Sequence, residues 1–135
     1  MDGGLVNLSA RVKIRQWGDN IVLGIVVKGA SPRRFLIRAV GPGLAKYGVT
    51  DHLQNPKITV INEAQPFEFS NDNWEDAADS NAAARSVGAF ELESGSLDAA
   101  LIVGLGEGVY TVQISGVDPA DTGTVLGEIY LLESN

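Results

Sequence analysis

From Val6 to Arg15 apolar and polar residues alternate. Val6, Leu8, Ala10, Val12 and Ile14 fall on one side, and Asn7, Ser9, Arg11, Lys13 and Arg15 on the other. A period of two puts each set on its own face of an extended chain, so this run predicts a half-buried strand. Residues 16–20 read as a turn. The nearly continuous apolar run over 21–28 then predicts a strand covered on both faces, as at the centre of a sandwich. After Gly29-Ala30-Ser31-Pro32, residues 34–40 alternate again. Phe35, Ile37 and Ala39 form one wholly apolar face, while Leu36 and Val40 share the other with a single charge, Arg38. Gly41-Pro42-Gly43 ends this strand, because proline has no N–H to give and glycine accepts positive φ.

Beyond that stop, residues 44–49 predict one helical turn closed by Gly48. Residues 57–61 alternate as a strand, and 65–69 read as a partner strand with Pro66 at its entrance. The alanine-rich run 77–87 predicts a helix, with acids before it, Arg85 near its end and Gly88 in the stop position. Three further strands are expected over 98–105, 109–115 and 124–132, the first two joined by a hairpin at Gly106-Glu107-Gly108. About eight strands and one short helix predict an all-β fold. The expected architecture is an antiparallel, jelly-roll-like β-sandwich, as a single domain over 1–135.

Composition changes this picture little. A chain of 135 residues can bury a core without disulfides or metal. The absence of cysteine excludes disulfides, zinc–thiolate sites and thiol nucleophiles. A formal net charge of −7 repels phosphate backbones, so no nucleic-acid partner is expected, while cations such as Ca²⁺ are tolerated. No apolar run approaches membrane-spanning length, so no membrane insertion is expected. Met1-Asp2-Gly3-Gly4 lacks a basic-then-apolar signal pattern.

The most polar stretch is the first candidate site. Asn71, Asp72, Asn73, Glu75, Asp76 and Asp79 supply enough oxygens for a Ca²⁺ ion, which takes roughly six to eight. The same residue types also make turns and helix caps, and the spacing is not that of an EF-hand. Trp17 and Trp74, with Tyr47 as a third, are candidate platforms for stacking on a sugar ring. Against this stands the reading that each tryptophan lids one end of the core. Arg38 needs a partner if buried, with Asp19, Asp98 and Glu128 as candidates. His52 is the single histidine and no nucleophile elbow accompanies it, so an enzyme is not expected.

Leu5-Val6-Asn7-Leu8-Ser9-Ala10-Arg11, Gly18-Asp19-Asn20-Ile21-Val22-Leu23-Gly24 and Leu36-Ile37-Arg38-Ala39-Val40-Gly41-Pro42-Gly43-Leu44 occur in that order. Asn71-Asp72-Asn73-Trp74 and the run from Gly108 to Val117 follow. Together they resemble a β-sandwich accessory domain of large secreted and cell-surface proteins of bacteria. The second half is also similar to the bacterial pre-peptidase C-terminal (PPC-like) domain. The resemblance implies an extracellular or cell-surface, non-catalytic β-sandwich, and some PPC-like domains bind calcium or polysaccharide. The expected function is an accessory module that binds polysaccharide or a surface glycan through its loop aromatics, with a structural Ca²⁺ at Asp72 and its neighbours as a further expectation. A structural or self-assembling spacer domain is the alternative, with the first and last strands as contact edges.

Overall fold

A computed structural model of the chain describes residues 7–16, 18–64, 68–77 and 79–132. Among the described residues eight strands form two four-stranded antiparallel sheets. One sheet runs β1 (Asn7–Ile14), β8 (Gly123–Leu132), β3 (Arg33–Val40), β6 (Ala99–Leu105). The other runs β2 (Ile21–Val27), β7 (Gly108–Gly116), β4 (Pro56–Asn62), β5 (Glu68–Asn71). This 1-8-3-6 against 2-7-4-5 order is the jelly roll, in agreement with the expected fold. Only β4 and β5 are consecutive strands of one sheet; every other connection crosses between sheets. The hairpin expected at Gly106-Glu107-Gly108 is therefore corrected: β6 and β7 lie in different sheets, and this short segment carries the chain across the sandwich.

Alternation along β3 builds two cores. Phe35, Ile37 and Ala39 point between the sheets, against Val103, Tyr110, Val112 and Ile129. Leu36 and Val40 point outwards, yet they are also buried, under a layer containing Leu44, Trp74, Ala84 and Leu92. That layer consists of a 3₁₀ helix (Pro42–Tyr47), a second one (Trp74–Asp76), the helix α1 (Ser80–Ser86) and the segment leading to β6. The helix expected over 77–87 is shorter because Ala77 is extended (φ −97°, ψ 90°), which separates the second 3₁₀ turn from α1.

Two expectations about strand position fail. The apolar run 21–28 is not a two-sided central strand. β2 is the margin of its sheet, and Val22 and Val26 on its outer face are 57% and 63% exposed. A run of apolar residues reports high β propensity here, not burial on both faces. The last strand is likewise not a contact edge, since β8 is hydrogen-bonded on both sides, to β1 and β3. The strand registers place the connections after β1, β3, β5 and β7 at one pole of the sandwich, and these include the longer ones.

Buried polar groups hold this pole and the outer layer in place. The fully buried Asp98 carboxylate accepts hydrogen bonds from Gly41 N (2.8 Å) and Gly43 N (3.1 Å) through Oδ1, and from Ser96 Oγ (2.8 Å) through Oδ2. It satisfies amides that the Gly-Pro-Gly stop would otherwise leave unpaired. Arg38 pairs with Glu128, directly opposite on β8 and one of its three candidate partners.

Candidate functional site

The connection from β3 to β4 carries the groups best placed to meet a ligand. Its 3₁₀ helix ends at Gly48, whose left-handed backbone (φ 86°) turns the chain and leaves Tyr47 56% exposed. The Tyr47 ring rests against Phe90, with centroids 5.1 Å apart and planes tilted by 55°. Lys46 Nζ sits 5.7 Å from the Tyr47 centroid and 5.4 Å from that of Phe90, within cation–π range of both.

This platform is tied to the sheet beneath it. The Arg38 guanidinium lies 4.6 Å from the Phe90 centroid, and Nη1 donates to Phe90 O at 2.5 Å. Arg38 Nε donates to Glu128 Oε1 at 2.7 Å, and Nη2 contacts the same oxygen at 2.7 Å as an ion pair. Tyr130 donates its hydroxyl to Glu128 Oε2 at 2.7 Å. Burial, and then the hydrogen bond to Glu128, push the Tyr130 phenol up to about 12. A buried charge thus fixes Phe90, and Phe90 backs the exposed tyrosine.

Three residues past Tyr47 the same connection lines an open cleft of about 480 Å³. Thr50, Asp51, His52 and Gln54 form one wall, Lys13 and Arg15 another, and Thr122 and Gly123 close it. Lys13 Nζ lies 3.0 Å from Asp51 Oδ2, and this contact holds the Asp51 carboxyl below the usual carboxylate range. His52 Nδ1 is 3.0 Å from Leu53 O. The wall is fixed through its backbone: Thr124 N donates to Asp51 O (2.7 Å), Leu53 N to Thr124 O (2.8 Å), and Asn55 N to Asp121 Oδ2 (2.9 Å). Gly123 makes this approach possible. It adopts φ 142°, and a Cβ there would stand 2.6 Å from Asp51 O. Chemically the cleft offers donors and acceptors of both charges. Among the described residues its lining includes no serine and, as in the whole chain, no cysteine.

The acidic stretch is organised differently from a ligand cage. Asn71 Oδ1 accepts from Asn73 N (2.9 Å) and Ala100 N (3.1 Å), and Asn73 Oδ1 accepts from Glu75 N (3.1 Å). The bonds from Asn73 N and Glu75 N are turn and cap bonds, and the one from Ala100 N ties β6 to the end of β5. Glu75 accepts from Gly95 N at 3.3 Å, while Asp72, Asp76 and Asp79 are exposed. Among the described residues no three or more His, Asp or Glu side chains converge on a metal position. Trp74 is only 9% exposed and donates Nε1–H to Glu93 O (3.2 Å), so it packs in the outer layer and presents no open face for stacking. Trp17 lies outside the described residues. Of the two described aromatic candidates, Tyr47 is on the surface and Trp74 is not. Sequence reasoning missed Phe90, which lies far along the chain, and the Lys13–Asp51 wall. The neighbouring pair Lys46-Tyr47 ahead of Gly48 was the available signal.

No protein-family model matches this chain, and no curated protein matches it. Among solved structures the chain is similar to the CBM35 from Cellvibrio japonicus Abf62, at 14% sequence identity and a TM-score of 0.43, covering 89% of this chain and 70% of that one. What stands of the family resemblance is the β-sandwich itself, and the PPC-like assignment gains no match. Among the described residues no helix is long and apolar enough to cross a membrane.

Proposed function

We propose that this jelly roll is a non-catalytic binding module for carbohydrate, in the setting of an extracellular accessory domain. One observation carries the reading: a single connection presents the exposed Tyr47 ring, backed by Phe90 and flanked by Lys46, and continues into the cleft wall Thr50-Asp51-His52-Gln54. An aromatic face matches the C–H face of a sugar ring, and mixed donors and acceptors beside it match ring hydroxyls. Binding rather than turnover is favoured because Asp51 is engaged with Lys13 and His52 Nδ1 faces a backbone carbonyl. No nucleophile and base are paired in the cleft among the described residues.

The test is a polysaccharide and glycan panel with the native domain, Tyr47→Ala and Gln54→Ala. Binding by the native domain that Tyr47→Ala abolishes and Gln54→Ala weakens supports the reading. No binding across the panel, or binding indifferent to Tyr47, refutes it. In this reading Asn71 and Asn73 serve the turn, each Oδ1 accepting a backbone amide, rather than a calcium ion.

A further inference from the structure

Four strands form the margins of the two sheets, β1 and β6 in one, β2 and β5 in the other. Three of these margins carry a feature that discourages pairing with another chain. β1 presents Arg11 and Lys13 on its outer face. β5 is four residues long and begins at Glu68. On β6 the Ala100 amide is already taken, by Asn71 Oδ1 at 3.1 Å. β2 has no such guard. Ile21–Val27 is seven residues long with no charge and no proline, and among the described residues it is laddered to β7 alone. The sandwich is also open at this flank. Leu8 and Val12 of β1 face the interior, opposite Ile129 and Val125, yet remain 44% and 40% exposed, and Ile21 and Leu23 are only half-buried. Gly24 adds a separate observation. Its φ is not positive and a Cβ there would meet nothing within 4 Å, so the monomer does not require glycine at this position. Glycine inside a strand weakens it, and often marks the close approach of another backbone.

We propose that β2 pairs with β2 of a second copy of the chain about a two-fold axis at Gly24, joining their 2-7-4-5 sheets edge to edge. An unpaired strand edge takes a strand, and the sequence of β2 says which one. It is apolar and symmetric in pattern about Gly24. Antiparallel self-pairing there sets Val22 opposite Val26, Leu23 opposite Ile25 and Ile21 opposite Val27, with both members of each pair on the same face. Val22 and Val26, exposed on the outer face of the monomer, thereby gain β-branched cross-strand partners. One residue further out, Lys28 falls opposite Asn20 and next to Asp19, so a cation meets a carboxylate at each end and no like charges oppose. The same axis turns the open apolar seams of the two copies towards each other. Such a contact is isologous and uses the β2 edge of both copies, so it closes at a dimer. It does not rest on the carbohydrate reading and needs no glycan to form.

Sedimentation of the whole chain from dilute solution to about 1 mM should show a monomer–dimer equilibrium. Gly24→Lys sets two ammonium groups opposite each other at the axis and should weaken the dimer by about fivefold or more. Its side chain enters open space, so its melting curve should match the native one. Because the chain has no cysteine, single introduced cysteines read the register. Opposed Cα atoms of an antiparallel pair lie about 4.5–5.5 Å apart, within disulfide reach, so Gly24→Cys should give a linked dimer under mild oxidation. In Val26→Cys the two substituted positions stand about 13 Å apart and should not link, whereas a mixture of Val22→Cys and Val26→Cys chains should. Four outcomes overturn the inference: a native chain that stays monomeric throughout, a mass that climbs past a dimer, a dimer indifferent to Gly24→Lys, or Val26→Cys linking as readily as Gly24→Cys.

Discussion

The ion pair beneath the aromatic platform makes a sharp quantitative demand. Glu128→Gln keeps shape and hydrogen-bonding capacity but removes the counter-charge from a fully buried guanidinium. Water cannot replace it, because the outer layer seals Arg38 from solvent. Removing one partner of such a pair costs about 3–5 kcal/mol, a large fraction of a net stability of about 5–15 kcal/mol. With a urea slope of about 2 kcal/mol per molar, the denaturation midpoint should fall by about 2 M. The triple variant Arg38→Met/Glu128→Leu/Tyr130→Phe removes the charges together with the phenol that depends on them, and should be more stable than Glu128→Gln. Arg38 also donates to Phe90 O, so the triple variant should additionally loosen Tyr47, read as faster exchange of the backbone amides around Phe90. A Glu128→Gln cost under about 1 kcal/mol, or a triple variant less stable than the single, would refute the account of Arg38 as a buried, counter-charge-dependent anchor.

Other consequences are quickly checked. The Tyr130 phenol has its folded pKa raised from 10.0 to about 12, so the folded state keeps its proton after the unfolded chain has lost it. Stability present below pH 10 should therefore fall as pH rises towards about 12, and Tyr130→Phe should flatten that fall in urea melts. Gly123→Ala sets a Cβ against Asp51 O in a left-handed backbone, and should cost about 2–4 kcal/mol by the same melts while opening the cleft. Chelator followed by millimolar calcium should leave the melting temperature unchanged, because Asn71 and Asn73 already serve backbone amides; a calcium-dependent rise would place an ion beside Asp72.

Much of the architecture was legible from local pattern. The alternation in β1, β3, β4 and β7 sorts their residues onto the correct faces, because successive side chains of an extended chain point to opposite sides. The Gly-Pro-Gly stop, Gly48 and Gly88 mark real ends, as backbone constraints act locally. Position within a sheet was not legible. Ile21–Val27 looks central by composition and lies at a margin, since nothing in its own residues reports how many neighbours pair with it. The same limit hides the crossing at Gly106-Glu107. Site residues split along this line too. Lys46 and Tyr47 stand out locally, whereas Phe90 and the Lys13–Asp51 contact exist only because distant segments meet. Trp74 shows the reverse case: its polar neighbours suggested exposure, but they cap the turn that drives the indole into the outer layer.

The pairing of the first strand with the last sets a schedule for synthesis. β1 precedes the other seven strands, yet its ladder partner β8 is the last of them, so β1 has no native neighbour in its sheet until all eight strands have emerged. Such long-range closure folds slowly and leaves an apolar strand waiting, which is the condition under which nascent chains stick to one another. Arg11, Lys13 and Arg15, set between Leu8, Val12 and Ile14, keep that waiting strand soluble by mutual repulsion. Replacing them with threonine would leave the finished fold intact and lower the yield of chains that reach it.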